Sequence, residues 1–181
     1  MKKFAAMLAA AMLAAAPAGA ELPVGAKAPL FSTKAALAGK EIAFNLRAAL
    51  AKGPVVLYFY PKAFTTGCTL EAHEFAEQTP EFAKYGATVV GLSNDDIDTL
   101  RKFSKEACRD KFAVAAATPA IVKAYDAHLV RQGKDTGLTE RTSYVIDGKG
   151  RIVFVHSDLD YKDHVRLTLD AVRKLQANHR H

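Results

Sequence analysis

Apolar positions along the chain change period at a few clear points, and those changes predict the elements. Val55 to Tyr60 is apolar throughout and mostly β-branched or aromatic, the pattern of a buried strand, and Pro61, which has no amide to donate, ends it. A helical period follows, with Cys68 in its first turn, and runs to about Gln78. There Thr79-Pro80-Glu81 reads as a fresh N-cap and first position, opening a second helical piece that Gly86 closes. Ala87 to Leu92 repeats the strand pattern, so strand, helix and strand predict a parallel, right-handed crossover. Ser93 to Asp96 caps the next helix, in which Ile97, Leu100, Phe103, Ala107 and Cys108 recur at helical spacing and place Cys108 beside the apolar stripe.

The remaining segments carry shorter signals. Glu21 to Thr33, with Pro23 and Pro29, reads as an extended lead-in; Gly39 to Phe44 reads as a short turn and strand, followed by a helical turn from Leu46 to Ala51. Downstream, Phe112 to Ala116 predicts a short strand, Pro119 to Tyr125 a short helix and Gly133 to Thr139 a polar loop. Thr142 to Ile146 and Ile152 to His156 are strand patterns joined by Asp147-Gly148-Lys149-Gly150, a strong hairpin signal. A last helix from about Tyr161 to Ala177 carries Val165, Leu169 and Val172 on one face. There is no repeat, low-complexity tract or linker, so one domain over residues 21–181 suffices.

The first twenty residues stand apart. Lys2 and Lys3 precede an apolar run from Phe4 to Ala16, and Ala18-Gly19-Ala20 supplies a small-x-small site, the layout of a cleavable signal peptide over residues 1–20. The run is shorter than the roughly 20 residues that span a bilayer. The expectation is therefore a periplasmic or secreted protein with no membrane-spanning segment. Composition, 50% hydrophobic and 24% charged, is that of an ordinary soluble domain. The formal charge of +6 is scattered among acids and makes no basic stripe with interleaved aromatics, so nucleic acid is not an expected partner. The histidines show no paired metal spacing, and no haem-attachment or phosphate-loop motif is present.

Chemistry concentrates at Cys68. Unpaired amides and the positive end of the macrodipole at a helix start favour a thiolate there. Cys108 is the second of two cysteines, and in an exported chain such a pair is read either as a structural disulfide or as a redox couple.

The run Phe59-Tyr60-Pro61-Lys62-Ala63-Phe64-Thr65-Thr66-Gly67-Cys68-Thr69-Leu70-Glu71 resembles the active-site loop of the peroxiredoxins, Pro-x-x-x-Thr-x-x-Cys, filled here by Pro61, Thr65 and Cys68. Flanking residues are similar to the bacterioferritin-comigratory (PrxQ) branch, over nearly all of the chain from about Gly25. The resemblance implies an α/β thioredoxin fold of the peroxiredoxin type, with a central mixed β-sheet flanked by helices. It implies a thiol-dependent peroxidase that reduces hydrogen peroxide and organic hydroperoxides, with Cys68 as the nucleophile passing through a sulfenic acid. Thr65 and the Gly67 and Cys68 amides would contact the peroxide, Pro61 would shape and shield the loop, Arg141 would supply fixed positive charge, and Glu71 would orient that arginine or make a plain helix-surface salt bridge. Cys108 would resolve the sulfenic acid as an intramolecular disulfide, after local unwinding, for re-reduction by a thioredoxin-like dithiol. The resemblance further implies a monomer with no metal, haem or flavin. Two positions depart from the branch: Thr66 stands where many relatives have proline, and His73 where some have a resolving cysteine. Two rival readings are a thiol–disulfide oxidoreductase, for which the C-x-x-C pair is missing, and a non-catalytic thioredoxin-fold binding module stapled by a structural disulfide.

Overall fold

The computed structural model describes residues 21–178, so the proposed signal peptide, His179 and His181 lie outside the described residues. Seven strands form one mixed sheet: β1 (Ser32–Leu37), β2 (Lys40–Asn45), β3 (Val55–Phe59), β4 (Thr88–Ser93), β5 (Ala113–Ala116), β8 (Thr142–Ile146) and β9 (Ile152–Ser157), in the order β2-β1-β5-β4-β3-β8-β9. β3, β4 and β5 run parallel, and the other pairings are antiparallel. The crossover between β3 and β4 is made by α2 (Thr66–Lys84), as the strand-helix-strand pattern predicts. Four further helices, α1 (Leu46–Leu50), α3 (Ile97–Glu106), α4 (Pro119–Tyr125) and α5 (His164–Asn178), complete the layers. No helix of the described residues is long and apolar enough to cross a membrane.

Strand β3 is buried on both faces because the two-residue period of its side chains feeds two cores. Val56, Tyr58 and Tyr60 pack with Ala72, Phe75 and Phe82 of α2, Leu100 and Phe103 of α3, and Val165 and Leu169 of α5. Val55, Leu57 and Phe59 face the opposite core, with Leu46 and Leu50 of α1 and Ile121, Val122 and Tyr125 of α4. Gly91, the parallel partner of Tyr58, makes room for that ring: a Cβ there would lie 2.7 Å from Tyr58 Cζ. The freed Tyr58 ring stacks on Phe75 with centroids 4.4 Å apart.

Three sequence expectations give way. The proposed break at Thr79-Pro80 does not occur; α2 runs through Pro80 to Lys84. Burial of Phe75, Ala76 and Phe82 along one face holds the helix on both sides of the proline, and the Thr79 hydroxyl donates to the Phe75 carbonyl at 2.8 Å. Gly86 does end the helix, with a φ of 68°. Residues 133–139, expected as a loop, contain β7 (Lys134–Thr139), which pairs with β6 (His128–Arg131) in a separate two-stranded ribbon. That ribbon is largely exposed, so it needs no apolar alternation and leaves no such signal in the sequence. Finally, α3 stops at Glu106, and Cys108 lies just beyond it, its amide donating to the Phe103 carbonyl at 3.0 Å.

Candidate active site

The sheet register brings distant residues together. Phe59, the last residue of β3, pairs with Thr142, the first of β8, so the loop after β3 lies beside Arg141. That loop turns at Pro61 and passes through Phe64, whose φ of 63° is left-handed and whose ring packs edge-on against Phe103 at 5.2 Å. Thr65 is the N-cap of α2, and its hydroxyl donates to the Lys62 carbonyl at 2.9 Å. Thr65 makes no side-chain capping bond, so the amides of the first turn, Gly67 and Cys68 among them, stay free for an incoming oxygen.

Cys68 is 2% exposed at the inner side of that turn. Arg141 reaches it: Nη2 lies 3.4 Å from Cys68 Sγ, Nη1 donates to Glu71 Oε2, and Nε donates to the Leu159 carbonyl at 2.9 Å. Three acceptors thus fix a planar cation at 5% exposure. Gly67 permits the approach, since a Cβ there would stand 3.4 Å from Arg141 Nη2. Glu71, one turn on from Cys68, is fully buried, which decides against the surface salt bridge. Burial pushes its carboxyl up to about 8 even with the guanidinium alongside.

Cys108 is fully buried and both cysteines are free thiols. Burial pushes the Cys108 thiol well up, with Asp110 adding to the effect, so in this state it is a poor nucleophile.

The sequence does not single out the layer beneath Glu71. His164 opens α5 fully buried, with Nε2 2.9 Å from the Asp158 carbonyl, Nδ1 2.8 Å from Ser143 Oγ, and the same Nδ1 3.9 Å from Glu71 Oε1. Burial holds its imidazole down at about 4. The available signal was a histidine four residues before Thr168, on the face of the last helix that also carries Val165, Leu169 and Val172. Among the described residues, no group of three or more His, Cys, Asp or Glu side chains gathers as metal ligands do.

Residues 24–155 match the AhpC/TSA family. The chain is 30% identical over 123 residues to peroxiredoxin Bcp of Bacillus subtilis, covering 67% of this chain and 78% of that one. Among solved structures, peroxidoxin BcpB of Mycobacterium tuberculosis superposes with a TM-score of 0.74 at 29% identity, over 84% of this chain and 97% of that one. The bacterioferritin comigratory protein of Xanthomonas campestris, described in terms of its alkyl peroxide reduction activity, does so at 0.70 and 28% identity, over 79% and 91%. With a thioredoxin-like sheet and a buried thiol held against an arginine at a helix start, the chain belongs to the AhpC/TSA family of peroxiredoxins, which are thiol-dependent peroxidases.

Proposed function

We propose that Cys68 is the peroxide-attacking thiol, that Arg141 stabilises both its thiolate and the charge developing on the leaving oxygen, and that Cys108 closes the cycle as the resolving thiol. The observation that carries this reading is the 3.4 Å contact between Arg141 Nη2 and Cys68 Sγ inside a buried site. The thiolate attacks the outer peroxide oxygen; an S–O bond forms, the O–O bond breaks, and the departing oxygen takes the electron pair and the proton that the peroxide brought. Water or an alcohol leaves, and Cys68 is left as a sulfenate, which takes a proton from solvent to become the sulfenic acid. The free first-turn amides and the guanidinium face that charge without having to reorganise. Thr65 Oγ1 keeps lone pairs to accept from the peroxide, and Pro61 bends the loop that covers the sulfur. The alkyl peroxide reduction named for the X. campestris relative supports organic hydroperoxides beside hydrogen peroxide as substrates.

Both sulfurs are buried, so a disulfide between them meets an external dithiol only if the fold opens around them. The segment after α3 is suited to opening: Arg109 and Asp110 are both left-handed, at φ 51° and 59°, a conformation that costs non-glycine residues on the order of 1 kcal/mol each. The Cys108 thiol then attacks the Cys68 sulfenic acid, forming the disulfide and expelling water, and a thioredoxin-like dithiol reduces the disulfide by exchange. The arrangement at Met1 to Ala20 supports export, so the physiological dithiol would be an exported one. Peroxide consumption coupled to a dithiol is expected in wild type and not in Cys68→Ser; consumption that survives this substitution would remove Cys68 from the role.

A further inference from the structure

Glu71 Oε1 is fully buried and, among the described residues, has no hydrogen-bond partner. Its sister oxygen Oε2 is taken by Arg141. His164 Nδ1 lies 3.9 Å from Oε1, just beyond hydrogen-bond distance. His164 itself cannot turn aside. A carbonyl only accepts, so Nε2, 2.9 Å from the Asp158 carbonyl, carries a proton, and Nδ1 is left to the Ser143 hydroxyl at 2.8 Å. A hydroxyl can serve either way. It donates to Nδ1 when that nitrogen is bare and accepts from it when it is protonated.

We propose that His164 is a positioning residue of the peroxide-reactive site: it shares one proton with Glu71, so that the buried pair has no net charge and the positive charge of Arg141 is left to the Cys68 sulfur. The inference rests on the reading of Cys68 and Arg141 above. Its logic is electrostatic. With the proton on Glu71 both groups are neutral; with the proton on His164 the two charges cancel. Only when the proton leaves does Glu71 compete with the thiolate for the same guanidinium. The other groups facing the pair are consistent with one proton and no more. Arg141, before β8, favours the charged carboxylate and, with His156 on β9, whose ring is 4.6 Å from that of His164, opposes a proton on the imidazole, while burial, Glu74 of α2 and the Asp158 carboxylate help the pair retain one proton. Burial acts in the same direction, holding Glu71 up at about 8 and His164 down at about 4, so the pair carries one proton between those limits.

The test is the pH dependence of the second-order rate constant of the reduced protein with hydrogen peroxide, measured by stopped flow from pH 5 to 9 for wild type, His164→Gln and Ser143→Ala. The expected wild-type profile falls on the alkaline side as the pair loses its proton. In His164→Gln, which keeps a donor for the Asp158 carbonyl but removes the second proton site, the midpoint of that fall should move to lower pH, with a several-fold loss of rate at the wild-type midpoint. Ser143→Ala leaves His164 in place but removes its hydroxyl partner, and should shift the midpoint the same way by less. Carbon NMR of the Glu71 carboxyl should titrate with the wild-type kinetic midpoint and move with it in His164→Gln, a readout that a merely structural role would not move. Variants that stay folded and keep the wild-type midpoint would overturn the inference while leaving the roles of Cys68 and Arg141 intact. A wild-type protein that does not react with peroxide would overturn both.

Discussion

Arg141 Nη2 and Cys68 Sγ lie 3.4 Å apart although 73 residues separate them in sequence, and the guanidinium is held there by the Glu71 carboxyl and the Leu159 carbonyl. A lysine carries the same charge on a single nitrogen and cannot span the separate acceptors that Nε, Nη1 and Nη2 of the planar guanidinium each meet. Arg141→Lys is therefore expected to slow the reaction of Cys68 with hydrogen peroxide by about 10²- to 10³-fold, the range for losing one preorganised donor to a developing charge. Stopped-flow rate constants for the reduced protein check this; a loss below threefold would mean that the arginine is a structural tether.

Gly67 separates stability from activity. Its missing side chain admits Arg141, since a Cβ would stand 3.4 Å from Nη2 and 3.8 Å from Tyr161 Cδ1. Alanine is the better helix former by about 1 kcal/mol, less in a first turn. Gly67→Ala should leave the urea midpoint unchanged or higher while displacing the guanidinium by a few tenths of an ångström and lowering the peroxide rate about tenfold. Parallel urea titrations and peroxide kinetics on the same preparation test the pairing.

Buried titrating groups make stability depend on pH in a defined way. Glu71 is raised from 4.5 to about 8 on folding, so its contribution is fully present below 4.5 and is lost as pH rises through 8. His164 is lowered from 6.5 to about 4, so its contribution is present above 6.5 and is lost as pH falls through 4. Between 4.5 and 6.5 the two slopes cancel. From 6.5 to 8 only Glu71 acts, and the pair should cost the fold about 2 kcal/mol over that window. Urea unfolding at pH 6.5 and pH 8 should show this loss in wild type and not in Glu71→Gln; equal losses in both would place its origin elsewhere.

Where local chemistry and tertiary structure agree, the elements are legible in the sequence. The apolar run to Pro61 gives β3, Pro119 opens α4 at its N-terminus, and Asp147 to Gly150 joins β8 to β9. Local rules fail where burial overrides them, as at Pro80, or where nothing is buried, as in the β6–β7 ribbon. The β1 strand is missed for a third reason: only Ala35 and Ala36 are buried in it, and two alanines make no pattern. In the site, Cys68 and Arg141 are visible as motif positions, but the placing of His164, bonded to Ser143, beside Glu71 is not. Those three residues lie on α2, β8 and α5, and only the packing of α2 and α5 over the sheet brings them together.

The central claim is that Cys68 reacts with peroxide and Cys108 resolves it, and intact mass after one equivalent of hydrogen peroxide tests it most directly. Reduced wild type should lose two hydrogens, Cys108→Ser should gain oxygen on Cys68, and Cys68→Ser should not change. Oxygen retained on Cys68 in wild type with no bridge would contradict the role of Cys108, and an unchanged mass in both wild type and Cys108→Ser would contradict the account as a whole.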